Sequence, residues 1–276
     1  MCQLGYELTG DPGGTPLALV HGWGAEASFM RPIAEHFPGR RVMLIDLPGY
    51  GRSAGIRPPS HDFRDTSELL YNTLESGCDL MAWSLSTLFA IHACTMRPRK
   101  VASLVSICGT PRFPRDPNWP GMPFSIVVKT RRFLNSRRAM RMLGSFFKKQ
   151  ILNLGEHNEQ SLALSVDELL ERLGRLDPAT LLHGIDLMAT IDVRQELDSL
   201  SIPVLHLFGA HDLLVPPALA RAMTQQHPGR EAFIFPYSGH MPFLSESRLF
   251  YRKLDEFYAR VNERMRPAQA PEQSGD

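Results

Sequence analysis

Short apolar runs alternate with amphipathic stretches along most of the chain. Leu17–Val20, Val42–Ile45, Asp79–Ala82, Val101–Ile107, Val204–Phe208 and Ala232–Phe235 are too short for helices and apolar enough for strands buried on both faces. Between them, apolar positions recur at helical spacing near 26–36, 63–75, 85–96, 216–227 and 246–264. Strands alternating with helices predict an α/β fold: a mostly parallel central sheet, joined by right-handed crossovers, with helices on both faces. The alternation stops between about 112 and 200, where the pattern is helical and polar with no convincing strand. The expected organisation is therefore one discontinuous core, residues 1–111 and 201–264, interrupted by a helical cap insertion at 112–200. Residues 265–276, rich in Pro, Gln and Glu, predict a disordered tail.

Composition narrows this picture only a little. With 276 residues and 43% hydrophobic content, the chain can fill a full core. A formal net charge of +1 gives no signature of nucleic-acid binding. The four cysteines (Cys2, Cys78, Cys94, Cys108) lack metal-ligand spacing, and the last three lie in apolar contexts that predict buried free thiols. No basic segment followed by an apolar one marks a signal peptide, and no apolar run approaches the roughly 18 residues of a membrane span. A cytoplasmic monomer without stable membrane insertion is expected, and neither a metal nor an organic cofactor is called for.

The chemistry gathers where strands end. Ser84 follows the run Cys78–Trp83 and opens a helical stretch, so its hydroxyl is expected at the carboxyl edge of the sheet, where open α/β sheets bind ligands. A strand-to-helix turn carrying a nucleophilic serine usually reads Gly-x-Ser-x-Gly, because backbone segments approach closely there. This chain has Ala82 and Ser86 at the glycine positions. His21-Gly22-Trp23-Gly24 comes directly after the first strong strand, at the place that pairs with the nucleophile turn to form an oxyanion hole. The candidate donors are the amides of Trp23 and Leu85. Asp212 and His240 each lie just after later strands. A hydroxyl needs a neutral imidazole to accept its proton, and a carboxylate to fix the imidazole's tautomer. Each of these residues alone reads as a helix cap or a loop polar group. Together, in the order Ser, Asp, His, they match the arrangement of α/β-hydrolases. Asp46 and Arg52, in Asp46-Leu-Pro-Gly-Tyr-Gly-Arg-Ser53, read as structural parts of a tight turn.

The cap sequence has one further feature. Between Asp116 and Glu156 there is no acidic residue, while Lys129, Arg131, Arg132, Arg137, Arg138, Arg141, Lys148 and Lys149 are basic. Asn135-Ser136 can cap a helix in which Arg137, Arg138, Arg141, Lys148 and Lys149 fall within an arc of roughly 120°. Met140, Met142, Leu143, Phe146, Phe147 and Ile151 occupy the other side. A surface helix with a solvated basic face is one reading. A face of one sign also fits an acidic or phosphorylated partner, or an anionic membrane.

The combination of His21-Gly-Trp-Gly, the Asp46–Ser53 turn, Trp83-Ser84-Leu85, Trp119-Pro120-Gly121, Asp192-Val-Arg-Gln-Glu-Leu197 with Ile202-Pro-Val-Leu205, and Gly239-His240-Met-Pro-Phe243 resembles the α/β-hydrolase carboxylesterases of biotin synthesis, the pimeloyl-acyl-carrier-protein methyl ester esterases. The resemblance spans nearly the whole chain apart from the tail. It implies a Ser84–Asp212–His240 triad, substrate carbonyl binding by Trp23 and Leu85, and acyl-chain contacts from Phe146 and Gln150. It also implies an acidic acyl-carrier protein as partner, docked by Arg137, Arg138, Arg141, Lys148 and Lys149. Two other functions are consistent with the residues: a general short-chain carboxylesterase, and a non-catalytic binding protein of the same fold. A halide-releasing enzyme is disfavoured, since that chemistry uses an Asp nucleophile where this chain has Ser84.

Overall fold

In the computed structural model, which describes residues 2–56, 62–133, 177–225, 227 and 229–265, all six expected strands form, each within a residue or two of its apolar run. They are β2 (Pro16–Val20), β3 (Arg41–Ile45), β4 (Cys78–Trp83), β5 (Val101–Ile107), β6 (Val204–Gly209) and β7 (Arg230–Phe235). A seventh, β1 (Tyr6–Gly10), precedes them. It is half-exposed along its length and carries no apolar run, so hydrophobic patterning does not reveal it. The sheet order is β1-β3-β2-β4-β5-β6-β7. Only β1 runs antiparallel to its neighbour, as an edge strand on an otherwise parallel sheet.

Successive residues of a strand point to opposite faces, and the two faces build two cores. Ala18, Val20, Leu80, Ala82, Leu104, Val204 and Phe208 face one side. There they pack under α2 (Phe63–Thr73), α3 (Ser86–Thr95), α5 (Pro178–Thr190), α6 (Arg194–Ser199) and α7 (Leu219–Thr224). Leu17, Leu19, Met81, Trp83, Val105, Ile107, Leu205 and Leu207 face the other side, against α1 (Arg31–His36), α8 (Pro242–Ser245) and α9 (Ser247–Met265). The helix α9 shows why it binds there. Phe250, Leu254, Phe257 and Val261 recur at steps of three and four and are all buried. Burying each such side chain is worth about 1.5–3 kcal/mol.

Between β5 and β6 the described residues form α4 (Phe124–Phe133), α5 and α6, with isolated bridges but no further strand. Asp177 caps α5 by accepting from the Ala179 N–H, with Pro178 in the first turn. The two ends of this region are tied by ion pairs. Arg112 meets Asp192 at 3.1 Å and Asp116 at 3.3 Å, while Arg194 meets Asp192 at 2.7 Å and Asp116 at 3.4 Å. The Arg194 guanidinium also lies 5.3 Å from the Trp119 ring centroid. The Trp119-Pro-Gly and Asp192-Val-Arg segments are thus two sides of one contact. Among the described residues, no helix is long and apolar enough to cross a membrane.

Candidate active site

The candidate residues converge at the carboxyl edge of the sheet. Ser84 leaves β4 with a positive φ of 60°, a left-handed conformation that costs free energy at a non-glycine residue. Its N–H donates to Ile107 O at 2.9 Å, so the turn is pinned to β5. His240 approaches from the loop after β7, and Asp212 from the loop after β6. The three are brought into hydrogen-bond contact: His240 Nδ1 to Asp212 Oδ2 at 2.7 Å, and His240 Nε2 to Ser84 Oγ at 2.8 Å. A carboxylate only accepts, so Nδ1 carries the proton and Nε2 is left to accept from the serine hydroxyl. The other Asp212 oxygen accepts from the N–H groups of Leu214 (2.8 Å) and Val215 (3.0 Å), which fixes the carboxylate's orientation. All three residues are at most 5% exposed.

The expected strain at Ala82 and Ser86 takes a specific form. Ala82 fits within the core and pairs in register with Val20 and Ser106. Ser86 is buried, and its hydroxyl donates to Val20 O at 2.9 Å and to Trp83 O at 3.0 Å. The turn therefore keeps its shape without either glycine, and the strain sits at Ser84 itself.

Gly22 shows why a glycine follows His21. A Cβ there would lie 3.0 Å from Ser84 Cβ and 3.1 Å from Trp83 O, so this loop passes directly against the nucleophile turn. Leu85 stands at the start of α3, where helix amides lack intrahelical acceptors. The Trp23 indole is fixed by donation to Leu181 O at 2.8 Å, which joins the His-Gly-Trp-Gly loop to α5. Gly184 of α5 lies close above it, since a Cβ there would come within 2.3 Å of Trp23 Cδ1 and 3.3 Å of Leu85 Cδ2. His21 is buried and structural. Its Nδ1–H donates to Gly22 O (2.8 Å) and its Nε2 accepts from Leu47 N–H (3.0 Å), while burial lowers its pKa. Asp46 likewise holds backbone, accepting from the Ala27 and Arg52 N–H groups.

Two contributors are not evident from sequence. The Trp83 indole donates to His240 O at 3.0 Å. Cys108, at the end of β5, has a positive φ of 44° and is fully buried. Burial, and next the charge of Asp212, push its thiol pKa well up. Among the described residues, Cys108, Asp212 and His240 bring sulfur, oxygen and nitrogen donors within 4.8 Å of one another. The 2.7 Å carboxylate–imidazole contact already uses Asp212 Oδ2 and His240 Nδ1, so the cluster is built as a hydrogen-bonded relay rather than a cation cage. Cys78 and Cys94 are buried free thiols and Cys2 is exposed. The positions expected to dock a carrier protein (Arg137, Arg138, Arg141, Lys148, Lys149) and to touch an acyl chain (Phe146, Gln150) lie outside the described residues.

Comparison with known proteins agrees with this geometry. Residues 17–253 match the model of the alpha/beta hydrolase family. The chain is 30% identical to a pimeloyl-[acyl-carrier protein] methyl ester esterase of Legionella pneumophila (strain Lens), over 88% of this chain and 95% of that one. It is also 30% identical to the enzyme of that name from Vibrio cholerae, over 93% and 98%. Among solved structures, an esterase from Exiguobacterium antarcticum superposes with a TM-score of 0.78 at 19% identity, covering 94% of this chain and all of that one. An enol-lactonase from Burkholderia xenovorans gives a TM-score of 0.77 at 17% identity, covering 93% and 96%. At such identities the structural matches speak for the fold, and the sequence matches for the chemistry. The chain belongs to the alpha/beta hydrolase family, as a carboxylic ester hydrolase.

Proposed function

We propose that this esterase hydrolyses the methyl ester of pimeloyl-acyl-carrier protein, releasing methanol and pimeloyl-acyl-carrier protein for biotin synthesis. The observation that carries the mechanism is the His240 ring, which bridges Ser84 at 2.8 Å and Asp212 at 2.7 Å. In this reading Ser84 Oγ attacks the ester carbonyl as His240 Nε2 takes its proton. Asp212 keeps Nδ1 protonated and stabilises the imidazolium that forms. The Trp23 and Leu85 amides receive the developing oxyanion, an interaction worth about 10²–10³ in turnover for a single donor. His240 returns the proton to the departing methanol. Water, deprotonated by the same nitrogen, then cleaves the acyl-enzyme and leaves a free carboxylate.

The substrate assignment is supported by the curated relatives that bear that name and align along almost their whole length. The basic positions of the cap sequence suit an acidic carrier protein. The test compares kcat/KM on methyl-pimeloyl-acyl-carrier protein with that on p-nitrophenyl esters, with Ser84→Ala as the inactive control. A preference for the carrier-bound ester, lost in Arg138→Glu/Arg141→Glu while p-nitrophenyl ester turnover persists, is the expected result. Equal rates on both substrates would assign the chain to general short-chain esterases.

A further inference from the structure

We propose that Ser86 is a positioning residue for the oxyanion hole: its hydroxyl sets the spacing between the loop that carries Trp23 and the turn that carries Ser84 and Leu85. This inference rests on the reading of Ser84 as nucleophile and of the Trp23 and Leu85 amides as oxyanion donors.

The last register pair between β2 and β4 is Val20 with Ala82. Past that point the two chains part, and the Ser84 N–H turns away to Ile107 O on β5. The segment after Val20 runs through His21 and Gly22 to Trp23, two residues of loop with no further ladder to β4. Ser86 Oγ spans this gap, 2.9 Å from Val20 O and 3.0 Å from Trp83 O. A serine in the first turn of a helix often satisfies itself locally, and the Trp83 carbonyl three residues back would be enough for that. The reach to Val20, 66 residues away in sequence, is not needed for local capping. What it does is tie the residue before the nucleophile to the strand end that leads to the other oxyanion donor.

The two halves must be held to a narrow tolerance. A Cβ on Gly22 would already stand 3.0 Å from Ser84 Cβ, so the loop cannot move closer. Only attraction from the other direction keeps it from moving away, and the buried Ser86 hydroxyl supplies that attraction. Oxyanion donors act through placement at the position that the anion, not the ground-state carbonyl, will occupy. Loosening this tie should therefore weaken transition-state binding and leave ground-state binding nearly intact. It follows that the glycine usually found at this place in nucleophile turns is the inferior residue in this chain.

The test uses the full-length protein and the variants Ser86→Gly and Ser86→Ala, with rates on a p-nitrophenyl ester expressed per active site titrated by a fluorophosphonate. Both variants are expected to lose about tenfold in kcat with KM within twofold, and to bind phenylboronic acid, a mimic of the tetrahedral oxyanion, about tenfold more weakly. Wild-type kcat and boronate affinity per titrated site in either variant would overturn the proposal, even with a lowered Tm, because the hydroxyl would then serve stability alone. If the wild-type chain is not labelled at Ser84, it is the catalytic reading that fails. If it is labelled and Ser86→Gly is unimpaired, only the positioning role falls.

Discussion

The indole N–H of Trp83 donates to the backbone carbonyl of His240 at 3.0 Å, joining the residue before the candidate nucleophile to the candidate base. The same ring lies 5.8 Å from the His240 imidazole and meets Phe243 edge-on, so it braces the histidine loop from beneath. Trp83→Phe would keep most of the packing and leave a buried carbonyl unpaired, a loss of about 1–3 kcal/mol. The expected outcome is a lower midpoint in urea unfolding together with a several-fold fall in kcat. An unchanged kcat would show that the loop holds its place without the indole.

Asp212→Asn separates the carboxylate's charge from its architecture. The amide oxygen can still accept from the Leu214 and Val215 N–H groups, so the loop should survive. The amide NH₂ would then face His240 Nδ1 and force the proton onto Nε2, the nitrogen that must accept from Ser84. Loss of about 10⁴ in kcat is expected, as for the equivalent change in other serine triads. Near-native unfolding midpoints should accompany it. A variant within tenfold of wild type would remove Asp212 from the relay.

The strands, both sheet faces and the order of the three site residues were legible because each leaves a periodic or positional mark. Leu17–Val20 is apolar throughout since both its faces are buried, and Asp212 and His240 each sit directly behind such a run. The edge strand β1 left no mark, because a half-exposed strand paired on one side needs no apolar face. Cys108 was read only as a buried thiol. Its place beside Asp212 depends on β5 and β6 lying side by side, which is a property of topology rather than local sequence. Ser86 was legible as a departure from glycine, but its Val20 partner lies on a different strand.

Gly184→Ala tests the closeness of α5 to the site by setting two effects against each other. Alanine in mid-helix is favoured over glycine by about 1 kcal/mol, so α5 alone would gain. The new methyl would meet Trp23 Cδ1 at 2.3 Å and Nε1 at 2.8 Å, positions that only movement of the indole can clear. That movement breaks the bond to Leu181 O and shifts the loop carrying the Trp23 amide. A fall of at least tenfold in kcat/KM is expected, and activity at or above wild type would mean that the helix yields instead.

His206 provides a pH dependence of stability that is separate from catalysis. It is fully buried on β6, both ring nitrogens lack partners, and burial, aided by the charge of Arg230, lowers its pKa from 6.5 to about 3. Above pH 6.5 the ring is neutral in both folded and unfolded chains, and the full stability is present. Below it the unfolded chain gains a proton that the folded chain refuses until about pH 3, so stability falls across that window. At about 1.4 kcal/mol per pH unit, the drop from pH 6.5 to pH 5 withdraws about 2 kcal/mol. His206→Leu removes this proton, along with two unsatisfied buried nitrogens. Urea unfolding of the variant at pH 7.5 should therefore give equal or greater stability than wild type. Between pH 7.5 and 5 the variant should lose about 2 kcal/mol less than wild type, and parallel losses in the two proteins would show that the ring is already protonated, or solvated, in the fold.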